Sequence, residues 1–214
     1  MGRPGPGHGE TRRLFIAIDL SPEAVADLAA VVDRLRVSLA NGPGHSTRLT
    51  RRENWHITVA FLGDVASDRI DAASAVMDAV AAAALPLHLL VAGGGRFGGW
   101  RDPILWAGIG GEVDGLRRLA RALQRAAHRA RLPVDDRPPR PHLTIARPRV
   151  RVPAQDVAAD VATLQAYAGP QWTATALHLM LSEIEQTPTG PAPTYTPLAT
   201  ASLGPPAQPD TPAP

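Results

Sequence analysis

Two short stretches carry the side chains best suited to chemistry. One is WHITVAFLG, from Trp55 to Gly63; the other is PHLTIARP, from Pro141 to Pro148. Each holds a His-x-Thr triplet, His56-Ile57-Thr58 and His142-Leu143-Thr144, inside a run of β-branched and apolar residues that reads as a strand. In a strand, residues i and i+2 project to the same face. Each stretch therefore offers one imidazole and one hydroxyl to a common surface. Ile57, Val59 and Phe61, or Leu143 and Ile145, anchor the opposite face. Two imidazoles with ordinary pKa values of about 6.5 are suited to act as one acid and one base at neutral pH. An in-line displacement at phosphorus needs those roles on opposite sides: one group deprotonates the attacking water, the other protonates the leaving oxygen. Two threonine hydroxyls can donate to the non-bridging oxygens, where negative charge builds up in the transition state. The scheme requires the two strands to meet across one cleft.

Rival chemistries find less support. No second His, Asp or Glu stands at ligand spacing in either stretch, and there is no H-E-x-x-H or cysteine pair, so no metal site is expected. No G-x-S-x-G marks a nucleophilic serine. The plain alternative is that a single His-x-Thr in a strand is chance. Two copies in similar apolar strands argue against it.

The elements that must position these triplets can be read along the chain. Residues 1–11 are rich in Gly and Pro and are expected to be disordered. Leu14–Leu20 reads as a buried strand. Ser21-Pro22-Glu23 opens a helix expected to run to about Ala40, where Asn41-Gly42-Pro43-Gly44 stops it. Arg48–Thr50 is a short strand before the first triplet. An alanine-rich helix comes next, from Ser67 to about Ala84, then strands over 85–92 and 104–109 separated by a loop, GGGRFGGW. A helix over 113–131, a Pro-rich loop to Pro141, the second triplet strand, a helix over 154–167, one long strand over 172–183 and an edge strand near Tyr195 complete the domain. That order predicts an α+β fold, helices packed on largely antiparallel sheets. A helix with a His-x-Thr strand in each half predicts pseudo-twofold symmetry. The domain is expected over 12–200, with a disordered Pro-rich tail over 201–214.

Composition limits the remaining classes. The chain has 214 residues, 44% of them apolar, enough for one sizeable domain or two small lobes. All 22 basic residues are arginine, yet the net charge is only +2, so charge alone does not argue for a nucleic-acid coat. Without cysteine there is no disulfide or thiolate site. No apolar run approaches the roughly 20 residues that span a bilayer, and residues 1–13 lack the apolar core of a signal peptide. A cytoplasmic monomer with no membrane contact and no obligate protein partner is expected.

Taken together, RLFIAIDL, WHITVAFLG, LPLHLLVAGGGRFG, ILWAGIG, PHLTIAR and LSEIEQTPTGPAPTY resemble, in order and over residues 12–200, the 2H phosphoesterase superfamily. The nearest resemblance is to its bacterial and archaeal RNA 2′,3′-cyclic phosphodiesterase (LigT-like) branch. The resemblance implies a bilobal fold of two pseudo-symmetric lobes with the active site in the groove between them. It implies hydrolysis of an RNA or nucleoside 2′,3′-cyclic phosphate to a 2′-phosphate, with no metal and no other cofactor. By the same resemblance His56 is the proton donor to the 3′ leaving oxygen and His142 the base that activates water. Thr58, Thr144 and Arg147 are phosphate contacts. By strict alternation Arg147 faces away from His142 and Thr144, and it reaches the site only if the strand bends near Pro148. The same acid–base pair can serve 2′–5′ RNA ligation, and a non-catalytic nucleotide- or RNA-binding module is the reading from another class.

Other residues have weaker claims. Arg117, Arg121, Arg125 and Arg129 form a basic stripe on one helix, more simply a solvated face than an RNA contact. Arg137 and Arg140 could line the groove. Phe97, Trp100 and Tyr195 could stack on a base, whereas Phe61 belongs by parity to the core. His88 and His178 read as structural or surface residues.

Overall fold

The computed structural model describes residues 10–39, 47–99, 103–138, 140–148, 152–187 and 190–205. The first strand, β1 (Thr11–Asp19), has an unbroken apolar run at Leu14–Ile18, where both its faces are covered. Leu14, Ile16 and Ile18 enter the main core, while Phe15 and Ala17 join Met180 in a smaller cluster on the other face. Helix α1 (Pro22–Val32) starts as its sequence dictates: Ser21 Oγ accepts from the Ala24 N–H at 3.1 Å, and proline takes the first turn.

The expected helix to Ala40 is two helices. The chain turns after Val32 and resumes as α2 (Arg36–Leu39). The start of α2 is held from far away in sequence. Arg36 and Val37 N–H donate to the two carboxylate oxygens of Asp160, at 2.8 and 2.9 Å. Asp160 is 2% exposed, and its burial raises its pKa while the two N–H groups offset part of the shift.

Strand β2 (Thr47–Leu49), a 3₁₀ turn at Arg52–Asn54 and β3 (His56–Ala66) come next. After them stand helix α3 (Ile70–Ala82), then β4 (Leu87–Phe97) and β5 (Ile104–Gly111). Thus the GGGRF segment, expected to be loop, is strand. At Gly94 a Cβ would lie 2.6 Å from Leu164, and at Gly95 2.7 Å from the Trp106 ring. Glycine there lets a helix and an indole lie flat on β4. Trp100 lies outside the described residues.

Helix α4 (Val113–Arg129), β6 (His142–Pro148) and α5 (Ala154–Ala166) match expectation closely. The long strand expected over 172–183 is two, β7 (Ala168–Ala174) and β8 (Ala176–Thr187), in different sheets. Strand β9 (Gly190–Ser202) ends the fold. Ala201 and Leu203 are buried, so the packed chain passes the expected boundary at 200; residues 1–9 and 206–214 lie outside the described residues.

The strands form two antiparallel sheets, β3-β1-β8-β9 and β2-β6-β5-β4-β7. They correspond strand for strand: β3 with β6, β1 with β5, β8 with β4, β9 with β7. The fold is α+β and bilobal, as expected. The lobes are not successive halves of the chain, however, because the first sheet takes its last two strands from residues beyond 175. Helices also cross over. α1, which comes after β1, packs on β4 and β7 of the second sheet, whereas α4, which comes after β5, packs on β3 of the first.

Candidate active site

The two triplet strands are neighbours of β1 and β5, and each contains a bulge at the same place. In β3 the register passes from Thr58↔Ala17 to Ala60↔Ile16, skipping Val59; in β6 it passes from Thr144↔Trp106 to Ala146↔Leu105, skipping Ile145. A bulge adds a residue to one strand and reverses the facing of the residues beyond it. Val59, Ala60, Ile145 and Ala146 accordingly all sit in the main core. The third residue after each threonine returns to the triplet's face. That residue is Phe61 in one strand and Arg147 in the other. So Arg147 joins His142 and Thr144 through a bulge at Ile145, not through a bend at Pro148. Phe61 packs with Phe15 and Tyr195 on the groove side instead of in the main core, a second consequence that strict alternation misses.

His56, Thr58, His142, Thr144 and Arg147 line one groove of about 380 Å³, a size that suits a nucleotide. The two histidines come from different sheets and enter it from opposite lobes. Arg48, Arg51, Asn54 and the Gly190–Pro193 end of β9 close its sides, and no carboxylate is among the described lining residues. Asn54 Nδ2 donates to the Pro193 carbonyl at 3.0 Å, which ties the β8–β9 hairpin to the turn before β3. Arg52 Nη2 donates to both carboxylate oxygens of Asp33, at 2.7 and 2.6 Å, and so fastens that turn to the C-cap of α1.

Both imidazoles are oriented alike. His142 Nδ1–H donates to the carbonyl of Arg140 at 2.6 Å, and the His56 ring is hydrogen-bonded to the backbone of Asn54, also two residues earlier. A carbonyl acceptor fixes which nitrogen carries the proton and leaves the other for substrate. Aromatic rings back each one. Phe15 stacks on His56 at 4.8 Å with Tyr195 edge-on at 5.0 Å; Phe97 stands edge-on to His142 at 4.9 Å and stacks on Trp106 at 5.2 Å.

The symmetry also fails beside the histidines. Opposite His56 on β1 stands Asp19, whereas opposite His142 on β5 stands Gly108. Burial lowers the His56 pKa from its usual 6.5; the Asn54 carbonyl and the Asp19 charge offset part of this, and His142 adds to it. A folded-state pKa below the unfolded value means that the folded protein binds fewer protons at this site. The stability gained by keeping His56 neutral is then present above pH 6.5 and is lost as pH falls from 6.5 through the lowered value. An NMR titration is expected to place the His56 midpoint below 6.5 and to move it upward when inorganic phosphate fills the groove. A midpoint at or above 6.5 in the free protein contradicts this.

The remaining candidates fall elsewhere. Arg137 is committed to the Asp135 carboxylate, and neither it nor Arg140 lines the groove; Arg140 contributes its carbonyl. The Arg117–Arg129 stripe is exposed on α4, whose apolar side packs on the core face of the first sheet, away from the groove; Arg117 pairs with Asp114 at 3.0 Å. Tyr195 does line the groove, and Phe97 packs behind His142. A third His-x-Thr, His45-Ser46-Thr47, lacks apolar flanks, and His45 lies outside the described residues. Arg48, Arg51, Asn54, Phe15 and Trp106 were not foreseen. Only Asn54 had a local signal, since it precedes His56 at the spacing at which Arg140 precedes His142.

Two imidazoles, two hydroxyls and a guanidinium around one groove, presented by matching bulged strands of two antiparallel lobes, define the class. The chain belongs to the 2′-5′ RNA ligase superfamily, whose family profile matches residues 21–184 and so spans both triplets. Among its relatives is an RNA 2′,3′-cyclic phosphodiesterase of Geobacillus stearothermophilus, 36% identical over 138 residues, which are 62% of this chain and 41% of that protein. The match thus spans less than half of that relative. An RNA 2′,3′-cyclic phosphodiesterase of Escherichia coli is 30% identical over 139 residues, 64% of this chain and 73% of that one. A crystal structure of a Thermus thermophilus protein superposes with a TM-score of 0.68 at 26% identity, covering 89% of this chain and 97% of the other.

Proposed function

We propose that the protein hydrolyses the terminal 2′,3′-cyclic phosphate of an RNA, or a nucleoside 2′,3′-cyclic phosphate, to a 2′-phosphate, by paired-histidine acid–base catalysis without a metal. The observation that carries this reading is the pair of His-x-Thr faces brought from two lobes into one groove that holds arginines and, among the described residues, no lining carboxylate. Water attacks phosphorus in line with the P–O3′ bond. His142, its Nδ1–H held by the Arg140 carbonyl, takes the water proton on its other nitrogen. His56, which must be doubly protonated when the anionic substrate fills the groove, keeps the N–H bound to the Asn54 carbonyl and gives the proton of its other nitrogen to O3′ as the P–O3′ bond breaks. The products are a 2′-phosphate and a free 3′-hydroxyl, with the proton count balanced by one transfer in and one out. Thr58 and Thr144 hydroxyls donate to the non-bridging oxygens, and Arg147 neutralises the charge that grows there.

Because the family profile is that of 2′-5′ RNA ligases, one second reading stands beside the first. A ribose 5′-hydroxyl in place of water, deprotonated by the same base, joins two strands through a 2′–5′ linkage with the same P–O3′ cleavage. The protein acts as a cytoplasmic monomer; no helix among the described residues is long and apolar enough to cross a membrane. Incubation with an RNA bearing a 2′,3′-cyclic end, in excess EDTA, is expected to yield the 2′-phosphate at an unchanged rate. A 3′-phosphate product overturns the assignment of the leaving oxygen. A rate lost in EDTA and restored only by a metal overturns the acid–base scheme, and ligated RNA with no hydrolysis selects the second reading.

A further inference from the structure

The groove holds more positive charge than one reacting phosphate requires. Arg48 on β2 and Arg147 on β6 are direct cross-strand partners, so two guanidinium groups leave the same face of the sheet side by side. Like charges directly opposite one another destabilise a sheet. Neither Arg48, Arg51 nor Arg147 forms an ion pair among the described residues, and none of the described residues lining the groove is acidic. Arg48 is moreover half-buried, with a guanidinium nitrogen beside Gly190 at the start of β9. A partly desolvated, repelled, uncompensated cation inside a groove fits an anionic ligand.

Arg147 shares its face with His142 and Thr144 and so belongs to the reacting phosphate. Arg48 lies one strand further out, on the edge of the second sheet. Arg51 comes next on the same connection, which passes by way of Asn54 to His56. All three arginines line the groove, Arg147 on the strand of the second triplet and Arg48 and Arg51 on the segment beside it. Pro191 and Pro193, which have no N–H to donate, also line the groove.

We infer that Arg48, with Arg51 beyond it, forms a second phosphate subsite that takes the phosphodiester on the 5′ side of the terminal nucleotide, so that the protein selects RNA ends over free cyclic mononucleotides. This rests on the proposed hydrolysis of 2′,3′-cyclic ends and names the substrate class within it. The subsite carries binding and positioning, while the chemistry stays with the two histidines.

The test compares a cyclic mononucleotide with a dinucleotide that has the same 2′,3′-cyclic end and differs by one internal phosphodiester. The wild-type protein is expected to favour the dinucleotide in kcat/KM by about 10-fold or more, the worth of one charge-assisted hydrogen bond. Arg48→Ala is expected to remove most of that preference through KM and to leave the mononucleotide within about 2-fold. It is also expected to flatten the salt dependence of dinucleotide binding by a slope of roughly 0.7, the value for one phosphate neutralised on a single strand. Arg48→Lys is expected to restore part of the preference. Equal losses on both substrates place Arg48 on the reacting phosphate and overturn the proposal, and so does an Arg48→Ala protein that still prefers the dinucleotide. The same comparison with 2′-phosphate-ended ligands, read by calorimetric binding, keeps the subsite testable even if the protein hydrolyses neither cyclic substrate; that result would sink the proposed reaction and not the subsite.

Discussion

Alanine at His56 or at His142 is expected to lower kcat on a 2′,3′-cyclic end by roughly 10² to 10⁴, the usual contribution of one general acid or base. The cause is local. Each ring is fixed by a backbone carbonyl two residues earlier and backed by aromatic rings, so no neighbour can take over the proton transfer. The losses should not add, because acid and base act in one step; the double variant is expected to be little slower than the worse single one. Each single variant is also expected to lose one limb of the bell-shaped pH profile. In the free protein the limb that reports His56 should have its midpoint below pH 6.5, since burial lowers the pKa of this ring. Near-wild-type turnover by either variant would falsify the mechanism.

The second large effect is expected at Arg147. Arg147→Ala should reduce kcat by about 10²- to 10³-fold, the range seen when one donor to transition-state charge is removed. Its guanidinium stands where the bulge at Ile145 returns the strand to the triplet's face. It also faces across the groove to Tyr195, whose phenol pKa is raised by burial and drawn back by this charge and that of Arg13. Arg147→Lys should recover only a fraction, because an ammonium cannot reproduce a two-pronged contact with phosphate. A change confined to KM would show that Arg147 binds ground state and transition state alike, and would remove it from the catalytic step.

The part of this site that is legible in the sequence comes from period-two alternation, and the hidden part comes from interruptions of that alternation. Strand parity places His56 with Thr58 and His142 with Thr144. It fails for Phe61 and Arg147 because a bulge depends on the register with a neighbouring strand, and β1 and β5 lie far from the triplets along the chain. The tight glycines of β4 look like loop punctuation until Leu164 and Trp106 are seen against them. The break between β7 and β8 is invisible in WTATALHLMLSE, which alternates smoothly; Thr175, the residue between them, is where the chain leaves one sheet for the other. The start of α2 is likewise set by Asp160, 124 residues beyond Arg36. Arg48 escaped notice because its meaning lies in the residue across from it, not in its own segment.

The interleaving of the lobes bears on how the protein comes into being. β1 takes β3 as one neighbour early, but its other neighbour, β8, begins only at Ala176. During synthesis the sheet that carries His56 must wait, one edge of its central strand open, until nearly the whole chain has left the ribosome. Pairings this distant in sequence form late and slowly. A nascent or truncated chain that ends soon after both histidines still lacks β8 and β9, and with them the Gly190–Tyr195 side of the groove. An open β1 is also a template for wrong partners, which makes aggregation during folding, more than instability once folded, the hazard this architecture carries.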